Sequence, residues 1–290
     1  MPSPRAKAAL LLTAAMLSFS AMSALVKLVG PRIPTVEVVC FRGLVGLPLL
    51  LLLARREGVS VLGVNRRLLA ARGLFGTTAV LLLFYAVARM PVGEAMLLNQ
   101  STSIFALPLA ALFLRERITW RHVALVGVAL VGVALIVRPG DEFLNVPGLA
   151  ALASAAFAAE AYVCVRKLTA TDATTTIVVW FTAIGVVATA PFAAAVFVVP
   201  SWGQLAALAG MSAAAAGGQL LLTMAYRRGE VGRLVVLGSL SAVFGTGFDL
   251  AIWGHVPDAV TTLGGVVVIA ACAAMQLMGA AKGTGRDQKS

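Results

Sequence analysis

"LLLFYAVARMPVGEAMLLNQSTSIF", residues 81–105, and "LLLTMAYRRGEVGRLVVLGSLSAVF", residues 220–244, align without a gap when the chain is slid against itself by 139 positions. Leu81, Leu82 and Leu83 fall on Leu220, Leu221 and Leu222. Arg89 falls on Arg228, Val92 and Gly93 on Val231 and Gly232, Leu98 on Leu237 and Phe105 on Phe244. Farther out, Gly46 meets Gly185. Leucine on leucine is cheap in so apolar a chain, but the arginine, glycine and phenylalanine matches are less so. The same shift brings five apolar runs of the first half onto five of the second, so the chain reads as an internal repeat.

The runs themselves set the class. Hydrophobic residues make up 60% of the 290 and charged residues 12%, with a mean hydropathy of +0.96. The charged share is about half that of a soluble domain. A helix crossing a bilayer core needs roughly 20 apolar residues. Such runs occur near 8–29, 35–54, 68–88, 93–114, 120–138, 147–166, 175–199, 203–226, 231–253 and 259–280. The fold expected is an all-α integral membrane protein of ten transmembrane helices. It divides into a first five-helix repeat over 1–140, a second over 141–282, and a polar tail, "KGTGRDQKS", that closes the chain with 283–290. Arg5 and Lys7 precede the first run as in a signal peptide, but that run is longer than the usual apolar segment and is taken as a retained helix.

Five is an odd number, so the second repeat must enter the membrane from the opposite face. The expected architecture is therefore an inverted-topology repeat, a design used by secondary transporters with their site near the midplane. Eighteen of the 23 Lys and Arg flank the side that holds the N-terminus. By the positive-inside rule both termini lie in the cytoplasm of a cell inner (plasma) membrane. Topology thus accounts for the net charge of +11, and nucleic acid drops out as a partner.

The segment Ala95–Arg138, "AMLLNQSTSIFALPLAALFLRERITWRHVALVGVALVGVALIVR", resembles the end of an EamA-like domain: an apolar helix closed by an acid, Glu116, then a short basic turn and a Gly-rich helix. "EVVCFRGLVGLPLLLL", residues 37–52 with Arg42, resembles that domain's second helix. Two such domains in tandem describe the drug/metabolite transporter superfamily. The resemblance implies a transporter of small metabolites with a central cavity lined mainly by helices 1, 3, 4, 6, 8 and 9. The second copy departs from the pattern, placing His255 opposite Glu116 and Phe181 opposite Arg42.

Polar residues inside apolar runs are the candidate site, because ionisable groups at membrane depth are costly and face a bundle interior or water. "NQSTS", residues 99–103, makes one turn of helix 4 polar on every side. Asn99, Gln100, Thr102 and Ser103 offer both donors and acceptors. The shift sets "GSLSA" opposite, with Ser239 and Ser241. Glu160 stands alone in "AALASAAFAAEAYVCV", residues 150–165, where it could meet a substrate amine or carry a coupling proton; its counterpart is Ala21. Tyr85 and Gln219, with Tyr162, add polarity from helices 3, 8 and 6. Asp249 could bind substrate, pair with Lys27 or reach the interface. Arg42 reads as local charge balance with Glu37. Pro108 should bend helix 4. Gly127, Gly132, Gly264 and Gly265 would let helices approach closely, within or between chains.

Enzyme motifs are missing: the sequence has no HExxH, GxSxG or P-loop, and its two histidines, His122 and His255, lie at helix ends. Cys40, Cys164 and Cys272 are isolated in apolar runs, which argues against disulfides and metal sites. No cofactor is expected. The lining of amides, hydroxyls and one or two acids, without a deep basic cluster, disfavours phosphorylated substrates and suits a small polar or zwitterionic one. The reading favours an amino-acid exporter or facilitator of broad specificity. Organic cations or S-adenosylmethionine-like metabolites are the alternative, through Glu160. Monomer and homodimer both remain open.

Overall fold

The computed structural model describes residues 4–102, 104–106, 109, 120–137, 146–226 and 235–284. Ser103, Pro108 and Glu116 lie outside the described residues. The helices in chain order are α1 Pro4–Val29, α2 Thr35–Glu57, α3 Arg66–Val87, α4 Val92–Asn99 and α5 Trp120–Val137. They continue with α6 Val146–Leu168, α7 Thr174–Ala195, α8 Trp202–Tyr226, α9 Leu240–Trp253 and α10 Ala259–Thr284, with a short 3₁₀ turn, Val235–Ser239, leading into α9. Six of them, α1, α2, α3, α6, α7 and α8, are long and apolar enough to cross a membrane, and α5, α9 and α10 contain shorter apolar segments. Leu44, Leu49 and Leu52 of α2 and Val187 and Phe192 of α7 are exposed on the outside of the bundle. In water this would be a large apolar patch; in a bilayer it is the lipid-facing surface.

Local chemistry sets where the helices stop. Asn65 caps α3, its side chain accepting from the Leu68 N–H. Gly58 and Gly254 end α2 and α9 at φ of 66° and 64°, in the left-handed region that costs a glycine nothing.

The bundle is built from antiparallel pairs. α1 packs along α8 and α3 along α6, with the end of α1 against the start of α8 through Gln204 Nε2 to the Val29 carbonyl at 3.1 Å. The other pairs join helices five apart in order. α2 packs on α7: Glu37, at the start of α2, accepts from the N–H of Val198 beyond the end of α7, while Thr175, at the start of α7, donates to Glu57 at the end of α2. α4 packs on α9, and Gly93 at the start of α4 lies against Thr246 and Gly245. α5 packs on α10 with backbones nearly touching: a Cβ on Gly132 would stand 2.8 Å from the Gly264 carbonyl oxygen. Gly265 is closed over by Leu97, whereas Gly127 faces open space.

One polar knot fixes a connection. Asp172, between α6 and α7, accepts from the N–H groups of Val64 (2.6 Å) and Asn65 (3.4 Å) and from the Thr171 hydroxyl (2.7 Å). Burial pushes its carboxyl up, but these donors outweigh burial and hold it below the usual carboxylate range. Trp180 joins the knot, its indole N–H donating to the Val61 carbonyl at 2.9 Å.

The α5–α10 contact makes a direct test. Gly132→Val should push the two backbones apart and destabilise the protein by about 1–3 kcal/mol, as overpacking does. Gly127→Val, on the same helix but in open space, should leave the melting temperature unchanged. Thermal unfolding of the purified variants in detergent measures both.

Candidate functional site

Helix α4 stops at its polar residues. After Asn99 the chain turns through Gln100 and Ser101, and helical structure resumes at Thr102. Gln100 and Ser101 reach back with i→i−3 bonds, Gln100 N to the Leu97 carbonyl at 3.2 Å and Ser101 N to the Leu98 carbonyl at 3.0 Å. At the matching place in the second half a 3₁₀ turn, Val235–Ser239, leads into α9. A tightened turn inside a helix often marks a functional hinge.

The same hydrogen bond recurs at both places. Thr102 Oγ1 donates to the Asn99 carbonyl at 2.6 Å, and Ser241 Oγ donates to the Gly238 carbonyl at 2.9 Å. These pairs are 139 positions apart. Ser and Thr readily bond backward in this way and so satisfy a carbonyl that the α-ladder releases. Gly93 of α4 lies against Thr246 of α9, and seven residues inward along each antiparallel helix lead to Gln100 and Ser239. The two turns therefore share one depth.

Each is braced by the first helix of a half. Asn99 Nδ2 donates to Ser154 Oγ of α6 at 3.1 Å, and the Ser154 hydroxyl in turn donates to the Ala79 carbonyl of α3 at 2.7 Å. Ser20 Oγ of α1 donates to the Ser241 carbonyl at 2.7 Å. Cys272 of α10 donates to the Gln100 carbonyl at 3.3 Å. The Ser101 hydroxyl is buried and has no partner among the described residues. Toward the start of α4 a cavity of about 210 Å³ opens between α4, α9 and α10, lined by Glu94, Leu97, Thr246 and Thr261 among others.

The remaining candidates lie elsewhere. Glu160 is half-buried on α6, one turn before Cys164, with no hydrogen-bond or ion-pair partner among the described residues. Tyr162, beside it, is exposed. Tyr85 sits near the end of α3 with the Arg89 guanidinium 3.9 Å from its ring centroid. Gln219 lines a small cavity with Arg42 and Ser212. Asp249 is fully buried; one oxygen takes the Lys27 ammonium at 2.8 Å and the other the Gly93 N–H at 2.8 Å. Of the roles open to it in the sequence, the Lys27 pairing is the one the structure contains. Lys27 also lies 4.3 Å over the Trp253 ring. The group ties the ends of α1 and α9 to the start of α4.

Two expectations need correction. Arg42 does not balance Glu37, which bonds to Val198 instead; its guanidinium faces Phe181 at 5.5 Å. A basic pair also exists within the bundle. Arg72, counted from sequence among the cytoplasmic flanks, lies two turns inside α3 with its guanidinium 4.4 Å from the same ring. Nothing in a one-dimensional charge count separates a flanking arginine from one folded inward. Its signal is Gly76, one turn on, whose missing Cβ leaves room for the guanidinium.

Comparison with known proteins agrees with this architecture. Residues 6–138 match the EamA-like transporter family. The pseudopaline exporter CntI of Pseudomonas aeruginosa is 35% identical over 271 residues, 92% of this chain and 94% of that protein. The chain belongs to the EamA-like transporter family. Solute carrier family 35 member G1 of Mus musculus is 26% identical over 87% of this chain and 73% of its own length. A crystal structure at 21% identity superposes over 99% of this chain and 100% of that one with a TM-score of 0.65, which shows a shared fold. This EamA-like protein is a multi-pass membrane transporter and not an enzyme.

Removing one partner of a buried pair strands the other charge. Lys27→Met should cost about 3–5 kcal/mol of stability, with Lys27→Met/Asp249→Leu recovering part of the loss because no charge is left unpaired. Thermal unfolding of the single and double variants reads this out. A double variant as damaged as the two singles combined would show that the charges do not act as a pair.

Proposed function

We propose that this EamA-like protein is a secondary transporter that exports small zwitterionic metabolites by alternating access between two inverted five-helix repeats. Ten helices would cross the membrane, with both termini cytoplasmic. The observation that carries the reading is the pair of polar turns, one that breaks helical structure after α4 at Asn99 and one, the 3₁₀ turn Val235–Ser239, that leads into α9. They lie 139 positions apart, share one depth, and contain the same hydroxyl-to-carbonyl bond. Broken helices at the midplane are where transporters of this design hold their cargo, since backbone groups freed from the ladder are tolerated only beside protein or water.

The helix pairing supports the inversion. Repeats related by a two-fold axis in the membrane plane must set equivalent helices antiparallel, and α2 on α7, α4 on α9 and α5 on α10 are antiparallel pairs of helices five apart. The bracing follows the same exchange: α1 holds α9 as α6 holds α4.

Amino acids are the first substrate class to test. Asn99, Gln100, Thr102, Ser239 and Ser241 supply donors and acceptors, with Ser103 beside them in sequence, and Glu160 supplies an acid for an amine or a coupling proton. Gln219 and Tyr85 would contribute from α8 and α3. A second reading, export of pseudopaline itself, is supported by the 35% identity to the exporter of that compound over nearly the whole chain.

Uptake of labelled amino acids into proteoliposomes, with and without a proton gradient, tests this reading. Wild type should show saturable uptake that the gradient accelerates. Glu160→Gln should lose that acceleration by about tenfold, equivalent to roughly 1.4 kcal/mol. Gradient-independent uptake that survives the substitution would make Glu160 structural; no uptake of any amino acid would move the substrate to pseudopaline or to organic cations. Orientation has its own test: a C-terminal fluorescent-protein fusion should fluoresce, and an alkaline phosphatase fused in the Gly30–Pro34 turn should be active outside.

A further inference from the structure

The seam between α2 and α7 holds a set of donors with no acid among them. Arg42 of α2 and Arg72 of α3 bring their guanidinium carbons to 5.5 and 4.4 Å from the Phe181 ring centroid. Arg42 Nε, Arg72 Nε and Arg72 Nη1 are buried without a hydrogen-bond partner among the described residues, and so is the Thr77 hydroxyl. The acid nearest in sequence, Glu37, turns to the Val198 N–H. Arg42 lines two small cavities. One, of about 10 Å³, is bounded by Val39, Thr77 and Val80; the other, of about 40 Å³, by Gly46, Ser212 and Gln219.

These cavities are counterparts of one another. Shifting by 139 carries Val39 to Val178, Gly46 to Gly185 and Val80 to Gln219, and each residue lines the cavity its position requires. The pair therefore straddles the seam, and the side chains break its symmetry. Arg42 stands where the other half has Phe181, and Thr77 where the other half has Ala216. One half has been made basic and hydroxylic while its twin stayed apolar.

A guanidinium keeps its charge inside a protein and presents a planar fork of N–H donors. A buried charge without a counter-charge is costly, and two of like sign close together are more so. The aromatic face relieves this in part, since its quadrupole attracts cations. It offers nothing to the in-plane N–H groups, which need oxygen or halide acceptors. The space beside Arg42 and Thr77, about 10 Å³, takes a halide-sized ion, and the one beside Arg42, Ser212 and Gln219, about 40 Å³, takes only a few heavy atoms. A sugar phosphate is excluded by size, whereas a carboxylate group fits both the space and the fork.

We infer that Arg42, Arg72 and Thr77 form a binding site for a compact anion, a carboxylate or a halide, on the seam between α2, α3 and α7. The anion bridges the two guanidiniums, offsets one of their two positive charges and stabilises the packing of the two halves. It has two sources, the carboxylate of a transported molecule or a free ion from solution. The site stands whether or not the exported molecule is an amino acid.

Thermal unfolding of the full-length protein in detergent tests it. Acetate and chloride, compared at equal ionic strength with a HEPES salt that offers a bulkier sulfonate and neither a carboxylate nor a halide, should raise the wild-type melting temperature saturably by about 3 °C or more. Arg42→Gln should abolish the rise. Thr77→Val, a milder change should the first variant not fold, should shift its midpoint to higher anion concentration. A rise with leucine but not with 3-methylbutylamine, its decarboxylated analogue, assigns the anion to the cargo. A rise with acetate and chloride alone assigns it to a free ion, and either result upholds the site. Equal melting temperatures in all three salts, or an equal rise in wild type and both variants, would overturn it.

Discussion

In hydrocarbon, every backbone N–H and C=O must find its partner within the protein, because no water is there to take it. That constraint makes the chain all helix across the bilayer and makes any interruption of a helix informative. Helical structure breaks after α4 and tightens to a 3₁₀ turn at the start of α9, at 139-related positions, and at each a hydroxyl on the next turn bonds back to a carbonyl. The bracing from Ser154 and Ser20, the antiparallel approach of α4 to α9 and the buried Lys27–Asp249 pair all serve to hold these two places at one depth. Remove the interruptions and the rest is an apolar bundle with no reason to bind anything polar.

Much of this was legible in the sequence because it is periodic or local. Run length and hydropathy show a membrane protein, and a shift of 139 residues lays one half of the sequence on the other. The "NQSTS" turn announces itself by being polar on every side, which a lipid-facing helix does not tolerate. What the sequence could not convey was direction and distance between helices. Asp249 could be assigned three roles until its carboxylate was seen between Lys27 and the Gly93 N–H. Arg72 passed for a flanking charge because its inward course depends on Gly76 behind it and on Phe181 from another helix. Arg42 and Glu37 looked like a balanced pair, yet each found a partner on α7 or just past its end. Sequence proximity on one helix is a weak guide when neighbouring helices offer better geometry.

Near-symmetry in the backbone sharpens the meaning of asymmetry in the side chains. Glycines at 93, 132 and 264 keep paired backbones close, and such positions answer to geometry alone. At other positions the two halves diverge in charge: Glu160 against Ala21, Arg42 against Phe181, Asp172 against Ile33. Asp172 is explained by the loop it knots together. Among the described residues neither Glu160 nor Arg42 has a counter-charge or a hydrogen-bonded scaffold of that kind, and an ionisable group retained at membrane depth without one points to function.

Position relative to the seam then separates what those two groups can do. At the centre of the α2–α7 contact, Gly43 lies against Thr182, its own counterpart. In a cycle that exchanges the conformations of two inverted halves, residues on such an axis keep their neighbours, because each state is the other turned about that line. Arg42 and Phe181 lie one residue away and would belong to this stationary zone under the proposed alternating access. Glu160, on α6 away from the seam, belongs to a helix whose surroundings must change if access alternates at all. A charge that never leaves its setting can fix the affinity of a site or the stability of the packing, whereas a charge whose setting alternates can couple a proton to the change. The two unmatched ionisable groups are thus suited to different tasks, one to hold and one to switch.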